Sequence, residues 1–177
     1  MPDALAAALQ PTPLIDSAHP AVVALAAEAV AGCGPEPVER AVALYLAVRD
    51  RFRYDPYQVD LRPQGIRASE VIRRGHGWCV PKAALLAAVC RASGIPARVG
   101  YADVRNHFST ERLREVVGTN DYVWHGYTSL YLNGAWVKAT PAFNQALCAK
   151  LGVEPLPFDG RSDSVFQAED AAGRRHM

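Results

Sequence analysis

Apolar residues along this 177-residue chain gather into short periodic blocks separated by Gly and Pro. From His19-Pro20 to Gly32 the chain is rich in Ala, Val and Leu, with Pro near the start and Gly just past the end, the usual bounds of a helix. A second helix fits Glu36 to about Phe52, where Val38, Val42, Tyr45 and Phe52 share one stripe. Ser69 is placed to cap a short helix through Val71 and Ile72, which Gly75-His76-Gly77 stops. The segment from Cys79 to Gly94 predicts a helix, with Pro81 at a first helical position and Gly94 at the exit, and apolar residues on every face from Ala83 to Val89 predict that it is buried all round.

Ala97 to Asp103 alternates and predicts a strand. Phe108-Ser109 followed by Leu113 has the form of a hydrophobic staple, so a short helix is expected to run to Gly118. Two β-rich runs, Val123 to Leu132 and Ala135 to Thr140, are separated only by Asn133-Gly134, a strong hairpin signal. Asn144 is placed to cap a final helix that Gly152 ends. Residues 1–16, with Pro2, Pro11 and Pro13, read as a loosely held arm, and 17–177 as one domain. Helices first and a strand meander afterwards indicate an α+β layout.

Composition narrows the function. With 50% hydrophobic and 21% charged residues the chain is an ordinary globular domain, able to bury roughly 70% of its extended-chain surface without metal or disulfide staples. A formal charge of +1 leaves no footprint for nucleic acid. No apolar run approaches the ~20 residues of a membrane span, and Met-Pro-Asp-Ala-Leu lacks the basic start of a signal peptide, so no membrane association and a cytoplasmic location are expected. Cys33, Cys79, Cys90 and Cys148 lack the paired spacing of a zinc site and read as thiols; neither metal nor cofactor is expected.

Cys79 is the thiol that stands out. It lies where unpaired backbone N–H groups and the positive end of the helix dipole favour a thiolate, while Gly75 and Gly77 let a ligand approach closely. Pairing with Cys90 is excluded, since eleven residues along one helix separate them by about 16 Å. A nucleophilic thiol needs a base. His19 and His176 read as surface residues, and His76 and His107 as lesser candidates, whereas His125 sits on a rigid hairpin strand. The two-residue turn pairs Tyr131 with Trp136 and puts Tyr127 opposite Thr140, so Thr140 is the diagonal neighbour of His125 at about 7–8 Å. Asn144 and Asp121 stand in reserve as groups that could orient the imidazole. Gly77, Trp78 and Trp124 flank the pair and are expected to line the oxyanion and substrate site, with the Cys79 N–H as first oxyanion donor and the Trp78 indole as second.

At these residues the chain resembles the transglutaminase-like superfamily of papain-fold thiol enzymes. The resemblance runs from about Val42 to Pro141. It is carried by Phe52-Arg53-Tyr54, by Ala68-Ser69-Glu70-Val71-Ile72 leading to Gly77-Trp78-Cys79, by Gly94-Ile95-Pro96-Ala97-Arg98, and by Trp124-His125 running into Asn133-Gly134-Ala135-Trp136-Val137. It implies a Cys–His–Asp triad on a papain-like core, a cysteine-bearing helix packed on an antiparallel sheet, with Cys79 as nucleophile and His125 as base. Where the family has Asp before Pro, this chain has Thr140 before Pro141. A hydroxyl fixes an imidazole tautomer but does not stabilise imidazolium as a carboxylate does. The activity implied is acyl transfer from a peptide, protein or small amide, with hydrolysis favoured over cross-linking because no calcium loop is visible. The rivals are a degenerate domain that binds a peptide or protein through the old cleft, and a metal-binding domain using His76, Cys79, His107 and His125.

Overall fold

The computed structural model describes residues 2–105, 111, 115, 118–119, 121–167 and 173. The described chain runs α1 (Pro2–Ala7), α2 (Pro20–Ala29), α3 (Pro37–Arg51), β1 (Arg53–Tyr54), α4 (Pro63–Ile66), α5 (Ala68–Arg74), β2 (His76–Gly77), α6 (Cys79–Ala92), β3 (Ala97–Arg105), β4 (Asp121–Leu132), β5 (Ala135–Ala139) and α7 (Gln145–Leu151). The helix expected over Ser109 to Gly118 lies largely outside the described residues.

Helix α6 is the axle of the molecule. Ala83 through Cys90 are buried on all faces. Helices α2, α3 and α5 pack on α6, and so do β3 and β4. Its first residue is Cys79, two positions before the expected start, and Pro81 falls third. The shift is tolerated because the first turn of a helix has no intrahelical use for its N–H groups, so a proline there loses nothing.

The sheet is antiparallel in the order β3-β4-β5. Asn133 and Gly134 both adopt positive φ, 50° and 87°, as a two-residue hairpin turn demands. Tyr131 stands opposite Trp136 with ring centroids 5.4 Å apart, the expected cross-strand pair. The ladder ends at Thr128 opposite Ala139, one pair short of Tyr127 and Thr140. Pro141 has no N–H to continue it, and the Thr140 N–H turns instead to the Ser164 carbonyl at 2.9 Å.

Two local expectations are corrected. Ser69 lies inside α5 rather than capping it; its N–H donates to the Asp16 carboxylate at 3.1 Å, so the cap comes from a distant segment. The segment read as a loose arm is tied down. Ala8 is buried, the Ala97 N–H donates to Ala8 at 3.0 Å, and the Ala68 N–H donates to Leu14 at 3.0 Å. Small alanines pack without steric cost, and the carbonyls between them are free to accept from β3 and α5.

Candidate active site

Cys79 heads α6 and is 8% exposed. Burial pushes its thiol up, and backbone N–H groups of Gly126 and Val80, turned to the sulfur, oppose this only in part. The helix-terminus effect expected to favour thiolate is therefore present but outweighed by desolvation.

Gly126 belongs to β4, and the chain's alternation turns it towards α6. The next residue back, His125, is buried, at 7% exposed. Burial alone lowers its imidazole to about 4, with no carboxylate among the described residues offsetting the effect.

His125 owes its setting to a β-bulge. Ala102 pairs with His125 and Val104 with Tyr122, so Asp103 faces both Val123 and Trp124. Trp124 absorbs the extra residue with φ at 61°, and its N–H donates to the Asp103 carboxylate at 3.1 Å. The bulge leaves the Trp124 side chain 73% exposed. No period-2 reading of the sequence contains this feature.

His125 and Thr140 line one narrow crevice together with Ala142, Phe143, Leu156, Val165 and Gln167. Its free room is about 10 Å³, one water position. Thr140 is buried; its carbonyl accepts from the Tyr45 hydroxyl at 3.3 Å, while its own Oγ1 has no hydrogen-bond partner. Ala142 and Phe143 also pack in the cluster around Cys79 and Val80, so the thiol and the imidazole share these two neighbours.

The reserve groups are engaged elsewhere. Asp121 is ion-paired with Arg105 across β3 and β4, on a half-exposed edge, and four residues of strand put it about 13 Å from His125. The Asn144 side chain accepts from the Tyr54 N–H at 3.0 Å and makes no capping bond to α7, although Asn144 is the residue before that helix. Gly77 is buried against α6, and a β-carbon there would meet the Pro81 Cγ at 3.3 Å, so its smallness serves packing rather than ligand approach. His76, in β2, is half-buried with Nδ1 unpartnered. His107 lies outside the described residues, and among those described no three His, Cys, Asp or Glu side chains converge as metal ligands.

Trp78 and Trp124 line one groove. Shared with Val59, Leu61, Ile66, Val80, Tyr101 and Val123, it is open, about 600 Å³ in volume and without a charged side chain in its walls. The Trp78 indole N–H is buried and has no hydrogen-bond partner, and Trp78 packs against the cluster that holds Cys79. Tyr54 is a further residue beside Cys79. It packs in the Cys79 cluster edge-on to Phe143, centroids 4.9 Å apart, and burial holds its phenol well above the ordinary range, so it remains a donor. The signal for it was its place in Phe52-Arg53-Tyr54.

A cysteine heading a buried helix, with that helix packed on an antiparallel sheet whose adjacent strand carries a histidine, defines a papain-like α+β domain. The chain belongs to the transglutaminase-like superfamily, whose pattern matches residues 23–141. Its fold is similar to that of a candidate cysteine protease from Cytophaga hutchinsonii, with a TM-score of 0.58 and 19% identity over 78% of this chain and 42% of that one. It is similar also to the periplasmic domain of TgpA from Pseudomonas aeruginosa, with a TM-score of 0.55 and 23% identity over 80% of this chain and 47% of that one. The chain thus spans less than half the length of either. No curated protein matches it in sequence. No helix among the described residues is long and apolar enough to cross a membrane.

Proposed function

We propose that the domain performs thiol-dependent acyl transfer, chiefly hydrolysis of an amide in a peptide, protein or smaller molecule. The observation that carries this reading is the meeting of the Cys79 sulfur with the Gly126 N–H, one residue from His125, with Ala142 and Phe143 shared between thiol and imidazole. Both groups rest neutral, since burial raises one and lowers the other. Proton transfer to His125 then accompanies attack rather than preceding it. The sulfur forms the C–S bond and the carbonyl oxygen takes the electron pair, held by the Cys79 N–H and the Trp78 indole. His125 returns its proton to the leaving amine as the C–N bond breaks. Water then opens the thioester and regenerates the thiol. Thr140, whose hydroxyl has no other partner, lines the same crevice as the imidazole and is the group placed nearest to orient it once a water or substrate bridges them.

The test is acylation of Cys79 by an activated ester, read by intact mass, followed by release of amine from a panel of peptide amides. A Cys79 adduct that forms much faster in wild type than in His125→Ala supports the reading; no adduct, or equal rates, overturns it.

A second reading, a non-catalytic domain that binds a peptide, is favoured by the hydroxyl of Thr140 standing where a carboxylate is expected and by the suppressed ionisation of His125. Peptide binding that survives Cys79→Ala, with no turnover in wild type, would establish it.

A further inference from the structure

Lys82 lies one turn beyond Cys79 on α6 and is completely buried. Its Nζ donates to three main-chain carbonyls: Arg49 at 2.9 Å, Phe52 at 2.6 Å and Ala142 at 2.8 Å. An ammonium has three donors, and all three are used. Arg49 and Phe52 belong to the end of α3, where carbonyls lack intrahelical partners and the dipole favours a cation.

The far ends of these bonds matter. Phe52 leads directly into β1 and Tyr54, which packs beside the thiol. Ala142 touches both the Cys79 cluster and the His125–Thr140 crevice, and two residues later Asn144 holds the Tyr54 N–H. We propose that Lys82 is a positioning residue: rigidly joined to Cys79 through one helical turn, it fixes the Thr140–Asn144 turn and the β1 entrance relative to the sulfur. This rests on the acyl-transfer reading for its consequence, though not for its geometry.

A hydrophobic residue of the same length would fill the space at lower cost, because a buried cation is expensive even when hydrogen-bonded. What only the ammonium supplies is three directional bonds that tie two separate segments, the end of α3 and the Ala142 turn, to α6. The charged and titratable groups that act on it are Asp50 and Arg49 on α3 and Cys148 on α7, and Asp50 is already bound to Arg49 at 2.7 Å. Burial lowers Lys82 to about 7. Above that pH a neutral amine has two donors for three carbonyls, so one segment is released.

The experiment compares wild type with Lys82→Met by amide hydrogen exchange. In Lys82→Met, the Tyr54 and Thr140 amides are expected to exchange at least about tenfold faster relative to reference amides of the β3–β4 ladder, the effect of losing a hydrogen bond to a charged donor. If these amides and the ladder change together, or neither changes, the lysine is merely structural and the proposal falls. Should Lys82→Met fail to fold, wild type is measured at about pH 6 and about pH 8.5 with intrinsic exchange divided out; selective loosening of Tyr54 and Thr140 at the higher pH is expected, and uniform behaviour overturns the idea. A second readout is the saturating rate of Cys79 acylation, expected to fall about tenfold with little change in the half-saturating ester concentration. If wild type forms no acyl adduct, the acyl-transfer reading is lost while the exchange comparison still decides the role of Lys82.

Discussion

Gly126 presses so closely on Val80 that a β-carbon on the glycine would lie 2.8 Å from the Val80 Cα. Backbone on backbone contact of this kind sets how near the head of α6 comes to β4, and so how near the Cys79 sulfur comes to the Gly126 N–H. Gly126→Ala should push the helix terminus off the strand, costing about 1–3 kcal/mol in urea unfolding and slowing Cys79 acylation far more than that loss alone would. An alanine variant with unchanged stability and acylation would mean that the contact is not rigid.

His125 makes the fold sensitive to acid. Its imidazole titrates near 4 when folded against 6.5 as a free side chain, so the stabilisation is complete above 6.5 and is lost as pH falls from there through 4. The loss amounts to about 3 kcal/mol. Chemical unfolding at a series of pH values should show this slope in wild type and its disappearance in His125→Phe; equal slopes in the two would place the acid sensitivity elsewhere.

Thr140→Asp restores a carboxylate beside the imidazole. The carboxylate should raise the His125 titration point well above 4 and favour the thiolate–imidazolium pair, increasing alkylation of Cys79 by iodoacetamide at neutral pH by about tenfold or more. Burying the acid should cost about 1–3 kcal/mol of stability. NMR titration of the imidazole provides the check, and an unmoved His125 would show that Thr140 does not reach the ring.

Trp124 combines a left-handed backbone with a largely exposed ring, a pairing that favours function over stability. Trp124→Gly relieves the backbone and should leave stability unchanged or raise it by up to about 1 kcal/mol. Removing a wall of the uncharged groove should at the same time weaken binding of amides with large apolar side chains by about tenfold, while substrates with small side chains are affected little. Equal losses for both would argue against the groove as the substrate site.

Local rules read well where neighbours in sequence decide the outcome. Asn133-Gly134 needed only its own backbone preferences to form the turn, and the apolar run from Ala83 to Val89 has the all-round pattern of an interior helix. Asn144 shows the limit. Its position before α7 is that of a cap, yet its side chain is spent on Tyr54, ninety residues away. Asp16 likewise serves Ser69 from a segment that composition alone described as loose. Lys82 was visible only as one charge in an apolar run; that three carbonyls from two other segments converge on it could not be seen from its neighbours.

The sequence by itself determined the hairpin and its pairing, the central helix and the thiol at its head, because these depend on backbone preferences and on periodicity within one stretch of chain. Tertiary structure alone decided the protonation of Cys79 and His125, the bulge at Trp124 and the partners of Thr140, Asn144 and Lys82. Desolvation and hydrogen bonding are properties of what surrounds a group in space, and here those surroundings come from residues far away along the chain.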